Sequence, residues 1–194
     1  VVCLLGPNGC GKTTLMDCIM GFHDLNKGNI FLKNKNIKNM DPRQIARQIS
    51  YVPQKHTQNF PYKVIDVVLM GRASYTSIFS SPNKKDEKIA EEALSMVGML
   101  DYRDRLHTKL SGGESQLIMI ARALAQKTPI IIFDEPTAHL DFQHELKIME
   151  TIVNLVQENN LTIIMATHFP NHAFYFQNNA LNTSVLMMNN NNIA

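Results

Sequence analysis

The sequence predicts an α/β fold, a parallel sheet flanked by helices, with a mainly α-helical subdomain inserted into it. Three observations carry this expectation. The apolar runs VVCLL (1–5), IIIF (130–133) and LTIIMA (161–166) have strand length and little polar alternation, the pattern of strands buried on both faces. Helical spacing of apolar residues recurs between them, as in Leu146, Met149, Val153 and Val156. From Lys55 the character changes to aromatics and short apolar helices, so residues 1–54 and 127–194 are assigned to the core of one domain and 55–126 to the helical subdomain.

The first strand runs directly into Gly6-Pro7-Asn8-Gly9-Cys10-Gly11-Lys12-Thr13, a complete G-x-x-x-x-G-K-T. Its glycines let the backbone turn so that successive N–H groups point at one anion, and the helix starting near Lys12 adds its positive end. Lys12 is expected to reach the β- and γ-phosphates of a nucleotide, and the Thr13 hydroxyl to ligate magnesium. Leu15, Met16 and Ile19 form the packing side of this helix, and Gly21 stops it. GNIFLK (28–33) alternates as a strand, 34–39 is polar and turn-forming, and 45–48 finishes a short helix.

ISYV (49–52) is the next strand, closed by Pro53, and Gln54 follows it. Taken alone this glutamine is ordinary surface chemistry; beside a nucleotide it can hold magnesium or the attacking water. Val64 to Met70 read as a short helix, Ser80 to Lys84 as a polar loop, and Asp86 to Val97 as an amphipathic helix. Tyr62, Tyr75 and Phe79 are aromatics for which a local core and a protein interface are equally good readings. Leu110-Ser111-Gly112-Gly113-Glu114 then opens a nearly apolar helix, where two glycines and the Ser111 hydroxyl make a second anion-binding end.

IIIF delivers Asp134 and Glu135 at its carboxyl end, where open α/β sheets place ligands. Asp134 suits magnesium, and Glu135 suits polarisation of a water for attack on a γ-phosphate. Asp141 is expected to cap the helix after PTAHLD (136–141). LTIIMA delivers Thr167 and His168, and this histidine can donate to the γ-phosphate or orient the base. The tail is read as a short strand at 184–188 followed by an asparagine run, with no chemistry.

A net charge of +2 with 19% charged residues neither implies nor excludes nucleic acid; the lack of a basic stripe or long coiled insertion counts against it, and no nucleic-acid partner is expected. Cys3, Cys10 and Cys18 form no metal-site spacing and fit reduced thiols in a cytosolic protein. No stretch approaches the roughly 20 apolar residues of a membrane span, so any work at a membrane needs a partner. The chain opens on a buried strand without methionine, and residues are expected to precede Val1.

GPNGCGKTT (6–14), Gln54, LSGGE (110–114), IIIFDE (130–135), Leu140-Asp141 and His168 resemble, in order and approximate spacing, the Walker A, Q-loop, signature, Walker B, D-loop and switch histidine of ABC transporter ATPase subunits. The resemblance covers essentially the whole chain. YVPQ (51–54), FPYKVIDVVLMGR (60–72) and LSGGESQLIMIARALAQ (110–126) are similar to the metal-chelate importer branch, which serves ferric siderophores, haem, cobalamin and in some members molybdate or tungstate.

This resemblance implies a P-loop NTPase, RecA-like core that hydrolyses ATP with Mg2+. It implies nucleotide contacts from Gly6, Pro7, Asn8, Gly9, Cys10, Gly11, Lys12, Thr13 and Thr14. Metal would be held by Thr13, Gln54 and Asp134, and catalysis would fall to Glu135, His168, Gln54 and Lys12. Two subunits would meet head to tail, so that Ser111, Gly112, Gly113 and Asp141 complete the partner's site. The dimer would sit peripherally on the cytoplasmic face of the cell membrane, below a permease dimer fed by an extracytoplasmic substrate-binding protein, with the lobe around Gln54 to Phe79 receiving the permease.

Three departures stand out. The family's adenine-stacking aromatic and the edge strands beside Val1 to Leu5 are expected among residues before Val1, so adenine recognition is unassigned in this sequence. Ala138 replaces a frequent D-loop serine, and the ending lacks the usual glycine turn and further helices. The alternative readings are a soluble ABC-type ATPase in metal-cluster assembly or nucleic-acid maintenance, and a non-catalytic ATP-binding module. Retention of Lys12, Asp134, Glu135 and His168 argues against the second.

Overall fold

A computed structural model describes residues 1–54, 60–76, 81–189 and 192–193. In chain order its elements are β1 (Val2–Leu5), α1 (Lys12–Ile19), β2 (Phe31–Leu32), β3 (Lys35–Asn36), α2 (Pro42–Ala46), β4 (Ile49–Val52), α3 (Val64–Leu69), α4 (Lys84–Met96), α5 (Gly112–Ala125), β5 (Ile130–Asp134), α6 (Phe142–Asn159), β6 (Thr162–Thr167), α7 (Pro170–Asn178), β7 (Ser184–Asn189) and β8 (Asn192–Ile193).

The unalternating apolar runs become neighbouring strands of one sheet, ordered β4-β5-β6-β1-β7-β8, with every pair parallel except β7 and β8. Strand periodicity sends successive side chains to opposite faces. Ile131 and Phe133 therefore join a core with Ile148, Ile152 and Phe176, while Ile132 packs with Met16, Ile45 and Ile49 on the other side. Helices cover both faces, which is why no polar alternation is needed. The parallel register brings the carboxyl ends of β1, β4, β5 and β6 to one edge, with Leu5 opposite Thr167 and Asp134 opposite Ala166.

Helices α3, α4 and α5 pack on one another and join the larger core. Ile89, Ala90, Ala93, Leu94 and Val97 are all buried, as their spacing predicts. Arg72 ties this region together: its Nε donates to Asp86 Oδ1 at 2.9 Å and its Nη1 to the Ala125 carbonyl at 2.9 Å. Tyr62 and Tyr75 are exposed, with the Arg72 guanidinium 4.1 Å from the Tyr75 ring centre. Phe79 and Ser80 lie outside the described residues, as does Lys55.

Four expectations are corrected. The strand at 28–33 is a hairpin of two-residue strands, turned by Lys33 and Asn34 at φ 48° and 64°. The stretch 34–39 is thus β3 plus a short 3-10 turn rather than a simple loop. The helix expected over 45–48 lies earlier, because Asp41 and Gln44 form a capping box with Pro42 in the first turn and start it there. The tail does more than anticipated. Pro170 opens an unexpected helix, α7, and β7 pairs parallel with β1, Val2 opposite Ser184, so the P-loop strand is braced on both sides, by β6 and β7.

Candidate functional site

The loop from Gly6 to Gly11 joins β1 to α1 at the shared strand edge. Gly9 and Gly11 adopt φ 81° and 97°, the left-handed region that side chains avoid. Gly6 is packed so closely that an added Cβ would lie 2.5 Å from the Met188 carbonyl oxygen. Gly11 caps α1 without a side-chain hydrogen bond, so the first N–H groups of that helix have no intrahelical or side-chain acceptor. Cys10 turns inward against Leu4 and Met188.

Lys12 is only 5% exposed, and its Nζ donates to the carbonyls of Gly6 at 2.8 Å and Pro7 at 3.1 Å. The same ammonium lies 3.3 Å from Glu135 Oε1. Gln54 Nε2 donates to Glu135 Oε2 at 3.0 Å, and His168 Nδ1 stands 3.3 Å from that oxygen. Three segments distant in sequence thus converge on the Glu135 carboxylate. Glu135 holds φ 47°, a left-handed conformation unusual for a side-chain-bearing residue, with its N–H on the Ala166 carbonyl at 3.1 Å. This backbone outlier lies beside the cavity, which makes Glu135 a candidate functional position.

Thr13 Oγ1 donates to Asp134 Oδ2 at 2.9 Å. A tyrosine that the motif reading passed over, Tyr51, donates its hydroxyl to the same oxygen at 3.1 Å. Burial pushes the Asp134 carboxyl above its ordinary range, and the Thr13 and Tyr51 hydrogen bonds oppose that push. Burial, and then the adjacent Asp134 charge, drive the Tyr51 hydroxyl upward too, so it remains a donor. Its sequence signal is a hydroxyl on the strand that ends at Val52, two residues before Gln54. Thr13 and Asp134 are hard oxygen donors within one hydrogen bond of each other, a donor set that fits magnesium. Between the loop and Glu135 lies a cavity of about 320 Å³, lined by Asn8, Gly9, Lys12, Thr13, Thr14 and Gln54 among others.

Ser111, Gly112, Gly113 and Asp141 do not line this cavity. Ser111 caps α5: its Oγ accepts from Glu114 N at 3.2 Å, and Glu114 Oε2 accepts from Ser111 N at 2.8 Å. Asp141 caps α6, accepting from His144 N at 3.0 Å, with its other oxygen 2.7 Å from His144 Nδ1. The two turns touch each other, since a Cβ on Gly113 would lie 2.0 Å from the His144 ring.

A phosphate loop, a buried acidic pair and a glycine-opened helix now stand in fixed relation. The profile of the ABC transporter family matches residues 1–138. This chain belongs to the ABC transporter family. As an ATP-binding cassette it is 38% identical over 181 residues to the petrobactin import ATP-binding protein FpuC of Bacillus anthracis, covering 93% of this chain and 66% of that protein.

Among solved structures, a metal-chelate type ABC transporter in an inward-facing conformation matches the cassette with a TM-score of 0.86 and 34% identity, over 100% of this chain and 70% of that one. A bacterial ABC transporter cassette solved in dimeric form matches with a TM-score of 0.79 and 26% identity, over 99% of this chain and 82% of that one. The cassette spans 66 to 68% of the length of the curated relatives FpuC, a molybdate import ATP-binding protein and an uncharacterized ABC protein, the last two from Haemophilus influenzae. Among its described residues no helix is long and apolar enough to cross a membrane.

Proposed function

We propose that this cassette is the ATP-binding and hydrolysing subunit of an importer for a metal chelate such as a ferric siderophore, haem or cobalamin. The observation that carries the reading is the convergence of Lys12, Gln54 and His168 on Glu135 beside the phosphate loop. The import proteins among its relatives favour this over a cassette engaged outside transport.

In this reading the N–H groups of Asn8 to Thr14 cradle the phosphates, and Lys12 moves from its loop carbonyls to the β- and γ-oxygens. Thr13, Asp134 and Gln54 hold magnesium, which when bound neutralises charge on the β- and γ-phosphates. Tyr51 fixes the Asp134 oxygen. Glu135 takes a proton from a water held by Gln54 as that water bonds to phosphorus and the bond to the β–γ bridging oxygen breaks. His168 donates to the γ-phosphate and steadies Glu135.

Two cassettes meet head to tail, so Ser111, Gly112, Gly113 and Asp141 of each complete the other's site. Residues 1–54 and 127–194 act as the nucleotide core, 55–126 form the helical subdomain, and the lobe around Gln54 to Phe79 receives an integral membrane permease dimer. An extracytoplasmic binding protein delivers the cargo, and the cassettes lie peripherally at the cytoplasmic face. ATP-driven closure and hydrolysis-driven reopening then alternate the permease. The test is Glu135→Gln in the intact transporter: steady-state hydrolysis and chelate uptake fall at least about 100-fold while ATP still binds. Unchanged hydrolysis would overturn the role of Glu135, and unimpaired uptake would overturn the coupling.

A further inference from the structure

The histidine on α7 has no place in the motifs, yet its surroundings are specific. His172 is 4% exposed and both ring nitrogens are engaged. Nδ1 lies 2.8 Å from Thr167 Oγ1 and Nε2 lies 2.7 Å from Glu145 Oε1 on α6. Thr167 Oγ1 also accepts the Phe169 N–H at 3.0 Å. With the Glu145 carboxylate accepting, one tautomer satisfies every atom: Nε2–H donates to Glu145, and Nδ1 accepts the Thr167 hydroxyl proton.

The resulting chain, from Phe169 N–H to Thr167 to His172 to Glu145, clamps the two residues on either side of His168. The Phe169 ring adds a second hold, 3.9 Å from the His168 ring centre and 5.5 Å, edge-on, from that of His172. His168 itself is 34% exposed, and among the described residues its polar contact with the site is Glu135 Oε2, so its aim is set by its backbone and by Phe169.

We propose that His172, anchored by Glu145, is a positioning residue that aims His168 at Glu135 and the reacting phosphate. The inference rests on the role given to His168 above. A turn held from both sides keeps a hydrogen-bonding group within the few tenths of an ångström that orientation requires. Among the described residues no hydrogen bond joins His172 itself to the phosphate loop, which meets this chain only through the Gly6 N–H on the Thr167 carbonyl at 3.4 Å, so its effect is expected to fall mainly on turnover rather than on nucleotide binding.

The test uses steady-state hydrolysis by the purified transporter with its permease. His172→Phe fills the same space without either bond and lowers kcat about 10- to 100-fold, with KM for ATP within about twofold. His172→Asn, whose amide ends near the position of Nδ1 and still meets Thr167 but not Glu145, recovers part of the rate. His172→Gln, whose amide ends near Nε2 and meets only Glu145, does not. On a His168→Ala background His172→Phe has no further effect.

A wild-type kcat in His172→Phe, a rise in KM alone, or effects that multiply with His168→Ala would each overturn the proposal. So would equal losses in the Asn and Gln variants that follow a falling Tm, the mark of a purely structural residue. If His168→Ala alone leaves kcat unchanged, it is the reading of His168 that fails. If His168→Ala lowers kcat and His172→Phe does not, only the role of His172 fails.

Discussion

Helices α1 and α5 both begin at glycine-rich turns suited to an anion, but they treat their first-turn donors in opposite ways. At α1 the cap is a left-handed Gly11 with no side-chain acceptor, and the polar groups around it, Gln54, Glu135 and His168, come from just past the ends of β4, β5 and β6. At α5 the cap is Ser111, which binds Glu114 N while Glu114 binds Ser111 N, a reciprocal box made within four residues. Hydrogen bonding to the Ser111 N–H holds the Glu114 carboxyl below the ordinary carboxylate range. One end is assembled by the fold and lines a cavity; the other is satisfied locally by its own Ser111–Glu114 box.

The difference is testable by removing charge or cap at each end. The largest effect is expected at Lys12→Ala. It removes the ammonium proposed to bind phosphate and leaves Glu135, 9% exposed, without the cation 3.3 Å from its Oε1, so ATP binding and hydrolysis are expected to fall at least about 100-fold in equilibrium binding and turnover assays. Comparable nucleotide affinity in this variant would erase the distinction between the two ends.

Asp86→Asn is the control for burial without a ligand role. It leaves the buried Arg72 guanidinium without its anion and is expected to cost about 3 kcal/mol in denaturant unfolding. The Arg72 hydrogen bond holds the Asp86 carboxyl below its ordinary value. The stabilisation is therefore complete above the unfolded value of about 4 and is lost as pH falls through the lowered folded value. The gap between wild type and variant should stay constant near neutrality and close only in acid.

Gly113→Ala drives a methyl group into the His144 ring and is expected to cost about 2 kcal/mol. His144→Ala in the same chain should recover most of that loss, measured by Tm. Ser111→Ala removes one half of the α5 box and should lower stability by about 1 kcal/mol. ATP binding to the single cassette should be unchanged, in contrast with Lys12→Ala.

Much of the cassette was legible from local pattern. The phosphate loop, the cap of α6 and strands β1, β4, β5 and β6 follow from glycine placement, capping chemistry and uninterrupted apolar runs within a few residues; the Ser111 hydroxyl, expected at an anion-binding end, instead caps α5 by accepting from Glu114 N. The hairpin at Phe31 to Asn36 was misread because Lys33 and Asn34 carry the left-handed turn without glycine. Helix α7 was missed because its apolar face is short, and only Pro170 announces it.

By itself the sequence determined which chemical groups are present and which local turns present them, because hydrogen-bonded caps and φ-restricted glycines act over three or four residues. Only the tertiary structure decided that β7 braces β1, that the Tyr51 hydroxyl reaches Asp134, and that His172 joins Thr167 to Glu145. Those contacts depend on strand order and helix docking. They come from the burial of whole faces across the chain, and no short window of residues encodes them.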